Sequence, residues 1–112
     1  MNFKEYQEQS KRTMKPKTSD MLKSCINLSN YCMGLAGETG EVVDYMKKVL
    51  HHGHEFDRDI LKKELGDVLW YISALCSEMN ISLESVAIEN VEKLIKRYPG
   101  GFNSRDSIER CD

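Results

Sequence analysis

Nothing in this chain is long and apolar enough to span a bilayer, and the opening "MNFKEYQEQSKR" has no signal-peptide hydrophobic region. Charge of one sign is lacking too. The net charge of −2 leaves no basic footprint, so a nucleic acid polymer is not an expected partner. Four cysteines (Cys25, Cys32, Cys76 and Cys111) form neither a CxxC pair nor any metal-ligand spacing. Three of them fall at apolar helix positions, which predicts reduced thiols and a cytoplasmic location. Alternation of period two is absent throughout, as are sequence repeats, so no strand is expected. Glycine patterns for nucleotides fail as well: "GLAGETGE" lacks the Gly-Lys-Ser/Thr of a P-loop, and no Rossmann pattern follows a strand.

The pattern that remains is helical. Proline occurs only at Pro16 and Pro99, both as punctuation. "FKEYQEQSKRTM" predicts a short polar helix, followed by the linker "KPKTSD" with Ser19 or Asp20 as N-cap. From Met21 to about His52, apolar residues recur at helical spacing. That length predicts a break or kink near Ser29 to Gly34, and Gly53 is the expected C′ residue. Asp57 caps a further helix bearing Leu61, Leu65, Val68, Leu69, Ile72, Leu75, Cys76 and Met79. Ser82 caps a last one bearing Leu83, Val86, Ala87, Val91, Leu94 and Ile95, which "YPGG" stops. The tail "FNSRDSIERCD" predicts an extended polar arm. The expectation is one all-α domain over 1–112: a small bundle of one short and three longer helices. Its core spans about 20–102, with a polar tail at 103–112.

Negative charge gathers at two places. Glu38 and Glu41 lie three apart in one helix, and Glu64 and Asp67 three apart in the next. Residues at that spacing share a face, about 5–6 Å apart at Cβ, and like charges there repel. Acidic pairs of this kind are ordinarily solvated faces. Here both border the apolar stripe, beside Leu35, Ala36 and Val42 or Leu65, Val68 and Leu69. Gly37 and Gly40 adjoin the first pair, and Gly66 lies inside the second. Two such pairs on antiparallel neighbours would form a four-carboxylate cage for a hard divalent cation. On the residues alone, a solvated face and a metal site both stand.

Those same words resemble a known family. Glu38-x-x-Glu41, a spacer from Val42 to Lys63, and Glu64-x-x-Asp67 resemble the signature of the MazG-like all-α nucleoside triphosphate pyrophosphohydrolases. "GLAGETGEVVDYMKK", "HGHEFDRDILKKELGDVLWYI" and "ENVEKLIKRYPGGF" follow the family's blocks in order, from about Asn27 to Phe102. The resemblance implies a helical bundle that pairs into a homodimer or homotetramer, a dimer of dimers. It implies hydrolysis of a (deoxy)nucleoside triphosphate substrate to the monophosphate and pyrophosphate with Mg²⁺, for which Mn²⁺ could substitute. It also implies Glu38, Glu41, Glu64 and Asp67 as metal ligands. Glu38 and Glu41 are the candidates for taking a proton from the attacking water.

Cations are expected beside the phosphates. Lys48 lies two turns along the face of Glu41, within reach of a triphosphate tail; with Lys47 it equally suits the helix dipole. Asn90, Lys93 and Arg97 share a face of the last helix. Alone they read as solvated, and the resemblance places them near substrate. Tyr71, one turn beyond Asp67, is a candidate contact for phosphate or sugar, whereas Trp70 reads as core or subunit interface. Tyr6, Gln9 and Thr13 could contact the base. His51, His52 and His54 read as a surface loop. A di-iron carboxylate bundle would need Glu-x-x-His on two helices, which is missing. The competing class is a non-catalytic helical module that binds nucleotides or other proteins.

Overall fold

The computed structural model describes residues 1–110; Cys111 and the end of the tail lie outside the described residues. Helix α1 (Phe3–Ser10) runs into a 3₁₀ turn over Lys11–Thr13, followed by α2 (Met21–His51), α3 (Arg58–Glu78), α4 (Leu83–Arg97) and α5 (Ser104–Ile108). No strand occurs among the described residues.

Local chemistry sets the helix ends. Asn2 and Glu5 form a reciprocal capping box at α1. Asp20, Asp57 and Ser82 each accept a hydrogen bond from a first-turn N–H of α2, α3 and α4. Past the end of α2, Gly53 takes φ 73°, the left-handed conformation that glycine adopts without strain. Asn80 takes φ 57° in the α3–α4 turn.

Two expectations are corrected. Helix α2 runs unbroken through Ser29 to Gly34, because the Tyr71 ring of α3 packs where a Gly34 side chain would stand. That packing offsets the weak helix preference of glycine. The tail is not an extended arm over its whole length: residues 104–108 form α5. Asn103 accepts from the Asp106 N–H at 2.7 Å and donates to the Asp106 carboxylate at 2.6 Å, while Arg105 pairs with Glu109. The chain therefore has a second short helix beyond the one expected.

Helices α2 and α3 form an antiparallel pair that is the spine of the fold. At one end of the seam Ser24 Oγ donates to Glu78 Oε1 at 2.9 Å; further along Tyr71 lies on Gly34, and beyond it Glu38 meets Glu64 and Asp67. Tyr31 is buried in α2, with its ring edge-to-face on Trp70 at 5.9 Å. Helix α1 packs across α3 and α4, where Ser10 and Ser73 share a buried hydrogen bond of 2.8 Å.

The connector is held by Tyr45. Its hydroxyl accepts from the Asp57 N–H at 2.7 Å and donates to the Asp57 carbonyl at 3.1 Å, while its ring lies 6.4 Å from Phe56. Each such bond contributes about 0.5–1.5 kcal/mol. Tyr45→Phe is therefore expected to destabilise the chain by roughly 1–2 kcal/mol, seen as an earlier urea midpoint at unchanged slope.

The apolar stripes are wider than one chain covers. Met33, Val43 and Leu50 of α2 and Val91 and Ile95 of α4 are all more than half exposed, although their spacing is that of a core face. The radius of gyration is 17.3 Å, against about 13 Å for a compact domain of this length. A single copy leaves a large apolar area in water.

Candidate metal centre

Midway along the α2–α3 seam, carboxylate oxygens of Glu38, Glu64 and Asp67 converge within 4.8 Å of one another. Glu38 projects from α2, while Glu64 and Asp67 project one turn apart from α3. Glu38 and Glu64 are half-buried and Asp67 is exposed. The expected fourth member is not in this group: Glu41 is exposed on the next turn of α2 and acts on Glu38 through its charge. The structure thus brings together three of the four acids.

Electrostatics marks the spot. Partial burial pushes the Glu38 carboxyl above its ordinary pKa, and the neighbouring charges of Asp67, Glu64 and Glu41 push it the same way. A raised carboxyl binds more protons in the folded chain than in the unfolded one, so stability falls as pH rises through that range. The metal-free chain is expected to lose melting temperature from the ordinary carboxylate pKa up through the raised one. Glu38→Gln should flatten that slope, and a slope unchanged in the variant would dissociate it from Glu38. A divalent cation fits this donor set: all three groups supply hard oxygen ligands, and their mutual repulsion is what a cation removes.

Around the acids, Tyr71 and Trp70 continue α3. Tyr71 packs on Gly34, and the two rings meet edge-to-face at 5.0 Å. Trp70 is half-buried and donates through Nε1 to Thr13 Oγ1 at 2.8 Å, tying the 3₁₀ turn to α3. Tyr6 of α1 also borders the site: burial and the Asp67 charge both raise its phenol. Of the expected Tyr6, Gln9 and Thr13, Tyr6 is thus near the acids, while Thr13 stands in the 3₁₀ turn after α1.

Lys48 is held by Asp44, at 2.8 Å, and Asp44 also pairs with Lys47 at 3.3 Å. The hydrogen bonds from Lys48 and Lys47 hold the Asp44 carboxyl below its ordinary range; Asp44 and the Glu41 charge raise Lys48. Asp44 went unnoticed in the sequence, although its i,i+3 and i,i+4 spacing to the two lysines is a readable signal. On α4, Asn90 and Lys93 are exposed, and Arg97 lies with its guanidinium 6.0 Å from the Tyr98 ring centre. Within one chain α4 packs on α1 and α3. His51, His52 and His54 are exposed around the α2 terminus and belong to no metal-holding group among the described residues.

The glycines now divide. A Cβ on Gly34 would stand 2.6 Å from Tyr71 Cδ1 and closer still to other ring atoms, so this glycine makes room for protein. Gly37, Gly40 and Gly66 have nothing within 4 Å of the equivalent position, and their clearance opens outward.

Comparison with known proteins agrees with the geometry. The family described as MazG nucleotide pyrophosphohydrolase domain matches residues 27–102. The chain is also similar to the Gene 37 protein of Mycobacterium phage L5, with 38% identity over 78 residues, covering 66% of this chain and 68% of the phage protein. No solved structure matches. The matched segment holds both acidic pairs and the seam between them, and this chain belongs to the MazG nucleotide pyrophosphohydrolase family.

Proposed function

We propose that the chain hydrolyses (deoxy)nucleoside triphosphates to the monophosphate and pyrophosphate in a Mg²⁺-dependent reaction at the α2–α3 seam. The observation that carries this reading is the convergence of Glu38, Glu64 and Asp67 within 4.8 Å on two packed helices. A bound Mg²⁺ neutralises phosphate oxygens and lowers the pKa of a water. Glu38, Glu64 and Asp67 would hold it, with Glu41, exposed on the next turn of α2, as the fourth candidate ligand. Glu38 or Glu41 takes the proton of the attacking water. The new bond joins that oxygen to the α-phosphorus, and the bond to the bridging oxygen breaks, so that pyrophosphate leaves.

Lys48 exchanges Asp44 for the triphosphate tail. Tyr71 contacts the sugar or phosphate from its seat on Gly34. Asn90, Lys93 and Arg97 bind substrate from α4 of a second copy, because the wide apolar faces of α2 and α4 favour a homodimer or homotetramer. The chain acts in the cytoplasm, on nucleotides rather than on nucleic acid polymers.

The test is incubation with Mg²⁺ and a nucleotide panel while phosphate and pyrophosphate are assayed separately. Pyrophosphate with the matching monophosphate is expected, and EDTA should stop its release. No turnover of any nucleotide would favour the non-catalytic module instead.

A further inference from the structure

Helix α2 carries apolar residues on two opposite faces. Ser24, Tyr31 and Glu38, each seven residues from the next, meet α3 along the seam. A position two residues away lies about 200° round a helix, so the stripe through Ala36 is turned away from α3. That stripe is two series, each repeating every seven residues. Leu22, Ser29, Ala36, Val43 and Leu50 form one, and Ile26, Met33, Gly40 and Lys47 the other. Interleaved three and four apart, they occupy the core positions of a coiled-coil seam about 42 Å long. All are exposed, and Leu22, Ile26, Met33, Val43 and Leu50 are between 60% and 71% exposed. A helix that is apolar on both sides belongs inside a larger bundle.

The stripe matches itself when reversed. Each core layer of an antiparallel pair joins one series of a helix to the other series of its neighbour. With Ala36 set against Gly40 of a second copy, Met33 meets Val43, Ser29 meets Lys47 and Ile26 meets Leu50, each pairing occurring twice by symmetry. Small thus meets small, bulky apolar meets bulky apolar, and the two polar members meet each other. Leu22 extends past the end of the facing helix. A parallel pair would instead set Lys47 against its own charge. The closest approach falls at Ala36 and Gly40. A Cβ at Gly40 has nothing within 4 Å in one chain, and that clearance admits the neighbouring backbone.

We propose that the outward face of α2 binds a second copy of this chain, antiparallel, about a two-fold axis at the level of Glu38. The two acidic seams then lie back to back at the same height, each on the far side of its own α2. This contact is distinct from the α4 face, and it does not rest on the reaction proposed above.

The experiment is sedimentation equilibrium of the full chain without nucleotide or Mg²⁺, beside Gly40→Leu and the double variant Met33→Glu/Val43→Glu. The parent is expected to associate at micromolar concentration. Each variant should associate at least ~100-fold more weakly with unchanged helical circular dichroism, because these positions are exposed in the single chain. Val91→Glu/Ile95→Glu on α4 should leave the α2 contact in place. Register is read separately with a short bismaleimide and peptide mass spectrometry, which keeps the test valid should a glutamate variant fail to fold. A mixture of Met33→Cys and Val43→Cys chains should link position 33 to position 43. Met33→Cys alone should not link 33 to 33, which stand about 15 Å apart along the axis. A parent that stays monomeric at hundreds of micromolar would overturn the proposal. So would links from 33 to 33, or association as tight as the parent's in both α2 variants. None of these readouts involves turnover, so the contact and the proposed reaction can fail independently.

Discussion

Asp67→Asn is expected to lower pyrophosphate release at least ~100-fold while the chain stays folded. Asp67 is exposed, so its carboxylate contributes little packing. Its oxygen lies within 4.8 Å of those of Glu38 and Glu64, where one negative charge fewer relieves repulsion. Two unit charges 4 Å apart in water interact by about 1 kcal/mol, and less in salt. The metal-free variant should therefore melt at the same temperature as the parent or slightly higher, with unchanged helical circular dichroism. Mg²⁺ should raise the melting temperature of the parent and do so far less in the variant. A variant that unfolds would assign Asp67 a structural role; one that turns over normally would remove it from the site. Glu41→Gln separates a ligand from a bystander, because Glu41 stands outside the converged group. As a ligand or proton acceptor it costs activity on a similar scale.

Gly34→Ala is expected to disturb the site from one turn away. The added methyl would overlap the Tyr71 ring, so the ring must leave its seat or the helices must part. Overpacking of this kind costs about 1–3 kcal/mol, offset by up to about 1 kcal/mol of better helix preference. The net loss of stability is modest. The loss of activity should be larger, because moving α2 against α3 shifts Glu38 relative to Glu64 and Asp67. Misplacement by about 1 Å can cost ~100-fold in rate. Gly37→Ala is the contrast: a methyl there meets nothing within 4 Å, so the variant should melt higher. A Gly34→Ala chain with the parent's activity would show that the Tyr71 seat does not set the seam.

Which features could be read in advance follows from how local their causes are. Asp57 and Ser82 as caps and Gly53 as terminator depend on a few neighbouring residues and stand where the spacing put them, while of Ser19 and Asp20 the structure selects Asp20. The Asn103–Asp106 cap of α5 was equally local but was hidden in a polar composition that suggested an arm. The unbroken α2 was not readable: Gly34 is tolerated because of Tyr71, which comes from another helix. The acidic pairs were visible at i,i+3. Which three acids converge depends on how each helix is rotated about its axis, and sequence spacing leaves that open. Ser24 against Glu78 and Gln7 against the α3–α4 turn are contacts between distant segments. No periodicity announces them.

The proposed reaction at the acidic seam cleaves a nucleotide between its α- and β-phosphates. Phosphorus NMR of a reaction mixture of the chain, Mg²⁺ and a deoxynucleoside triphosphate it turns over tests this most directly, with Asp67→Asn alongside. A monophosphate resonance and a pyrophosphate resonance are expected to grow together in the parent, and neither in the variant. Inorganic phosphate growing with the diphosphate, or the same products at the same rate from Asp67→Asn, would contradict it.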